Sequence, residues 1–97
     1  MYLVILRRSG PAWRPGEPLE AQSGWDEHAA FMDSLVDRGI VVLGGPLADK
    51  QRVALAVEAP SEQFIRTTWA DDPWHETHLV IASIDPWTIR LDGRAYR

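Results

Sequence analysis

The sequence predicts one small α+β domain over residues 1–97, its elements ordered β-α-β-β-α-β. Three observations carry this reading. Four short apolar runs, rich in Val, Ile, Leu and Ala, are separated by Gly, Pro and Asp, as strands bounded by turns are. Two intervening segments carry apolar residues at helical spacing. A length of 97 residues with 45% hydrophobic and 25% charged residues suits a single globular domain with one core.

The elements follow in order. Tyr2-Leu3-Val4-Ile5-Leu6 is aromatic and β-branched enough for a strand. Ser9 to Gln22 holds Gly10, Pro11, Pro15, Gly16 and Pro18, which makes it a loop, and a long one. Ser23 or Asp26 is placed to cap a helix reaching Arg38, with Trp25, His28, Met32, Leu35 and Val36 on one stripe and Gly39 ending it. Ile40 to Leu43 reads as a strand closed by a Gly44-Gly45-Pro46 turn. A further turn, Leu47 to Gln51, leads into a strand over Arg52 to Glu58. Ser61 caps a second helix over Glu62 to Ala70, stopped by Asp71-Asp72-Pro73, and His78 to Ile84 is the last strand, followed by Pro86-Trp87 and a polar tail.

This order is the split β-α-β arrangement of ferredoxin-like folds: a four-stranded antiparallel sheet with two helices on one face. The strands alternate little between apolar and polar residues, whereas a half-solvated sheet should alternate. Both faces are therefore expected to be buried, the second by another copy of the chain, giving a homodimer.

Composition limits the partners. The net charge is −4, with one lysine, Lys50, and nine dispersed arginines, which disfavours nucleic acid and anionic membrane surfaces. The absence of cysteine excludes disulfides and thiolate-zinc sites. The Tyr2–Leu6 run is too short for a signal-peptide core or a membrane span, so a cytoplasmic location is expected.

The topology brings candidate chemistry to one end of the sheet. The start of the first helix, the end of the second strand and the end of the second helix all lie there, so His28, Gly44-Gly45-Pro46 and Asp71-Asp72-Pro73 converge. An imidazole titrates near neutrality, and a carboxylate on one ring nitrogen fixes its tautomer and leaves the other nitrogen free for proton transfer. A glycine allows a ligand close to the backbone. The competing reading is a histidine that merely hydrogen-bonds within the core.

The stretch Glu27-His28-Ala29-Ala30-Phe31, the run Gly39 to Leu47 with its Gly44-Gly45-Pro46, and Ala70-Asp71-Asp72-Pro73-Trp74 together resemble the YCII-related (YciI-like) family. The resemblance covers nearly the whole chain. It implies a dimeric α/β barrel and a pocket with a His-Asp pair that maps onto His28 and Asp72; the residues' own pattern adds the Gly45-Pro46 backbone as the place where a polar ligand oxygen would be met. Superfamily relatives include isomerases and monooxygenases of small cyclic compounds, and a related dehydrochlorinase.

Two segments depart from the family pattern. Trp13 and Arg14, in the proline-rich loop, could close over an aromatic or anionic ligand or could be loop packing. The Trp74-His75-Glu76-Thr77-His78 segment invites a metal reading, but in an extended segment the two rings face opposite ways, and no further ligand set is evident. Trp74 and Trp87 could line the pocket or the dimer seam, and Asp49 could serve the turn or the pocket rim. The sequence thus points to a small-molecule enzyme using His28 and Asp72 in general acid–base chemistry, with no metal or cofactor. An isomerisation, elimination or cyclisation of a small cyclic phenolic or enolic compound fits best. The alternatives are a non-catalytic ligand-binding or partner-docking dimer and a cofactor-independent monooxygenase.

Overall fold

The computed structural model describes residues 1–96. Strands β1 (Tyr2–Arg7), β2 (Val41–Pro46), β3 (Arg52–Val57) and β4 (Val80–Pro86) and helices α1 (Trp25–Asp37) and α2 (Glu62–Trp69) follow the predicted order. Short 3-10 turns lie at Leu19–Ala21 and Gly93–Tyr96. The strands form one antiparallel sheet ordered β2-β3-β1-β4, an α+β arrangement compatible with a ferredoxin-like fold. No helix among the described residues is long and apolar enough to cross a membrane.

The pleat of β1 divides the sheet into two faces. Val4 and Leu6 are buried, whereas Leu3 and Ile5 between them are only partly so. Val4 and Leu6 join Leu55 and Val57 of β3, Ile84 of β4, Leu35 of α1, and Ile65 and Trp69 of α2 in one core cluster. Both helices therefore pack through the face that holds Val4. On the other face the register aligns Leu3 with Ala56 and Asp85, and Ile5 with Ala54 and Ser83.

Local chemistry explains the element ends, and two differ from expectation. Ser61 caps α2 as its sequence requires, its Oγ accepting the Phe64 N–H at 3.1 Å, a contact typically worth about 1 kcal/mol. Neither Ser23 nor Asp26 caps α1. Its N-cap is Gly24 at φ 72°, a left-handed conformation that glycine adopts at no steric cost. A Cβ there would also lie 3.3 Å from the Trp74 indole nitrogen, a tight approach.

The second difference is at Gly44-Gly45-Pro46, which continues β2 instead of turning and pairs with Leu55, Ala54 and Val53. Leu55 Cδ2 fills the place a Cβ on Gly44 would take, and the Ala54 carbonyl lies 3.1 Å from it, so glycine lets the Leu55 side chain lie across β2 there. Pro46 is tolerated because β2 is an edge strand. The turn that follows is held by Asp49, whose Oδ1 accepts the backbone N–H groups of Gln51 and Arg52. Those bonds, with the Arg52 guanidinium at Oδ2, lower the Asp49 pKa to about 2.

Candidate functional site

His28 sits one turn into α1, its backbone N–H bonded to the Gly24 carbonyl at 3.0 Å. Asp72 follows α2, where the chain keeps coiling through Asp71 N–H to Thr68 O and Asp72 N–H to Trp69 O before Pro73 forbids another helical turn. This local path aims the buried Asp72 carboxylate back at α1. His28 Nδ1 lies 2.8 Å from Asp72 Oδ1 and 3.1 Å from Oδ2, and Oδ1 also accepts the Trp74 N–H at 2.9 Å. An ionised carboxylate can only accept, so Nδ1 carries the proton that joins the pair. Nε2 of His28 has no hydrogen-bond partner among the described residues, and the ring lines a cavity.

That cavity, about 500 Å³, opens between α1 and the β2 side of the sheet. Trp25, His28 and Met32 of α1, Gly45 and Pro46 of β2, and Trp74 are among its walls. A second hollow of about 870 Å³ lies between the long loop and the β2–β3 turn, with Trp13, Pro15 and Asp49 in its walls. Arg8 borders both.

An aromatic stack sets the orientation of the imidazole. The Trp74 ring lies against His28 on one side, centroids 4.1 Å apart and planes within 6°, and against His78 on the other, at 4.7 Å and 13°. Trp13 meets Trp74 edge-on at 5.9 Å, and Trp25 tilts against both Trp74 and His28. The Trp74 indole N–H donates to the Ser23 carbonyl at 2.8 Å, tying α2's end to the entry of α1. His78 is hydrogen-bonded through both ring nitrogens, to Ser23 Oγ at 3.0 Å and Thr77 Oγ1 at 2.9 Å. Burial lowers its pKa below the usual imidazole value; the nearby charge of His28 acts the same way, and Asp72 opposes them.

Of the residues that the sequence nominates, His28, Asp72, Gly45, Pro46 and Trp74 meet around the first cavity, Asp72 through its bond to His28. Trp13 is not in the walls of that cavity but touches two residues that are, meeting Trp74 edge-on and lying under the Arg8 guanidinium, 4.8 Å from its ring centre. Arg14 is not brought there. Its backbone is clasped by the Gln22 side chain, with Arg14 N–H to Oε1 and Nε2–H to Arg14 O both at 2.9 Å, and its own side chain is exposed. Trp87 is 44% exposed and lines neither cavity. His75 and His78 have separate surroundings, His75 lying 3.8 Å from Glu76, and no group of three or more potential ligands gathers among the described residues.

Sequence reasoning did not place Arg8, Ser23 or His78 at the site. A signal for Arg8 exists: strand alternation puts residue 8 on the face of Val4 and Leu6, and Arg7 on the other. The chain matches no family model, no curated protein and no solved structure.

Proposed function

We propose that the chain is a YCII-like small-molecule enzyme in which His28 transfers a proton and Asp72 orients and charge-stabilises its ring. The observation that carries the reading is the buried bond from His28 Nδ1 to Asp72, which leaves Nε2 of a cavity-lining ring as a lone-pair acceptor. The walls are mostly apolar, which suits a small cyclic body and strengthens any charge interaction inside it. The reaction class is isomerisation, elimination or cyclisation of a phenolic or enolic compound, because each needs one proton moved at carbon or oxygen.

A thermal-shift screen with phenols, quinones, lactones and dienoic acids, followed by turnover assays of the hits, tests this. His28→Gln is the comparison, since its amide still offers Asp72 a donor. The wild type should convert at least one hit, and His28→Gln should do so about 10²–10⁴-fold more slowly. Hits that stabilise both proteins and are converted by neither would leave a binding module, and the catalytic reading would be dropped.

The same proposal includes a second copy of the chain over the sheet face opposite the helices, closing a dimeric α/β barrel. Leu3 and Ile5 are only partly buried there, and each fully covered residue of this kind contributes on the order of 1.5–3 kcal/mol. Sedimentation velocity should report twice the 10.9 kDa chain mass at micromolar concentration, and Ile5→Lys should give the monomer. A wild-type monomer at that concentration ends the barrel reading.

A further inference from the structure

Arg8 stands apart from the other arginines. It is the only one withdrawn from solvent among the described residues. Arg52, Arg66 and Arg94 have carboxylate partners in Asp49, Glu62 and Asp92, but no ion pair engages Arg8 among the described residues. Taking a guanidinium partly out of water is unfavourable unless its donors are met. Here they are met in part. Nη1–H donates to the Lys50 carbonyl at 3.2 Å, which the β2–β3 turn presents with Lys50 at φ 59°. The guanidinium carbon lies 4.8 Å from the centre of the Trp13 ring, a cation–π placement. Nε is shut off from solvent and has no acceptor among the described residues.

A guanidinium is a planar fork of N–H donors suited to a carboxylate. Only Nη1 has an acceptor among the described residues; Nε is enclosed, Nη2 is left without a partner, and Lys50 and Trp13 fix the opposite corner and the face. The cation is thus positioned by the chain and left incomplete on one side. It borders the same apolar cavity as His28, where the other charged group in the walls is the exposed Asp33.

We propose that Arg8 is the anion-binding residue of the cavity, and that the compound taken there carries a carboxylate on an otherwise apolar ring or chain. This rests on the ligand-binding reading of the His28 cavity and narrows its substrate class. With the carboxylate on Arg8, the hydrocarbon part lies along walls such as Leu6, Met32 and Leu55, and a carbon or oxygen beyond it comes within reach of His28 Nε2. Arg8 binds and positions; the proton moves at His28.

The test uses benzoate and benzyl alcohol, alike in ring but one anionic and the other neutral, titrated into wild type, Arg8→Gln and Arg8→Lys at about pH 8, where an ordinary imidazole is neutral. Calorimetry or quenching of the cavity tryptophans reads the affinity. Wild type should bind benzoate about tenfold or more tighter than the alcohol, the effect of one charge-assisted contact. Arg8→Gln should erase that preference and leave the alcohol unchanged, while Arg8→Lys keeps part of it. Equal binding of the two probes by wild type overturns the role of Arg8 and leaves the cavity reading standing, and so does a benzoate affinity that survives Arg8→Gln. No binding of either probe overturns both. Should Arg8→Gln fail to fold, the wild-type pair and Arg8→Lys decide.

Discussion

Trp74→Ala lowers stability by about 3–5 kcal/mol, the range for deleting a buried tryptophan. The side chain is 1% exposed and sits between two imidazoles, with Trp13 and Trp25 against its edges. Little can collapse into the space, because His28 is bonded to Asp72 and His78 to Ser23 and Thr77. The loss would be a large part of the roughly 5–15 kcal/mol that holds an ordinary domain folded. Trp74→Phe keeps a ring in the stack and gives up the bond to Ser23, so it should cost closer to 1–2 kcal/mol. Urea denaturation followed by far-UV circular dichroism gives both values without depending on the deleted fluorophore. A loss under about 1 kcal/mol for Trp74→Ala would mean that the stack is loose and does not fix His28.

The order of elements was legible because it rests on local signals: the Ser61 cap, the helical stripe over Trp25 to Val36, and proline and glycine between apolar runs. From that order alone, His28 and Asp72 could be placed at one end of the sheet, and they lie within hydrogen-bond distance. What local signals missed depends on partners distant in sequence. Gly44 looks like a turn residue until Leu55 is laid across it. Ser23 and Asp26 look like helix caps, but the left-handed Gly24 takes the role and the Ser23 hydroxyl goes to His78. Arg14 looked like the cation of the site because it neighbours Trp13. The ring of Trp13 instead faces Arg8, which reaches it from the end of β1. Stacking of residues 28, 74 and 78 has no sequence period at all, since it is assembled from a helix, a coil and the approach to β4.

Asp72→Asn should leave the domain folded and slow turnover by about 10²–10⁴-fold, the contribution of a positioned proton-transfer group. The asparagine carbonyl can still accept the Trp74 N–H that Oδ1 accepts at 2.9 Å, so the turn after α2 is retained. The same carbonyl also keeps the His28 Nδ1–H that Oδ1 accepts at 2.8 Å, so the tautomer is retained. What is lost is the second acceptor, 3.1 Å from Nδ1, and with it the negative charge that stabilises the protonated ring. The defect is therefore one of charge stabilisation, not of binding: kcat falls while KM for the same compound stays close to wild type. Combining Asp72→Asn with His28→Gln should slow the reaction no further than His28→Gln alone, because the two residues act as one unit. If Asp72→Asn instead keeps kcat within about threefold of wild type, the carboxylate only braces the core, and the proton leaves by another route.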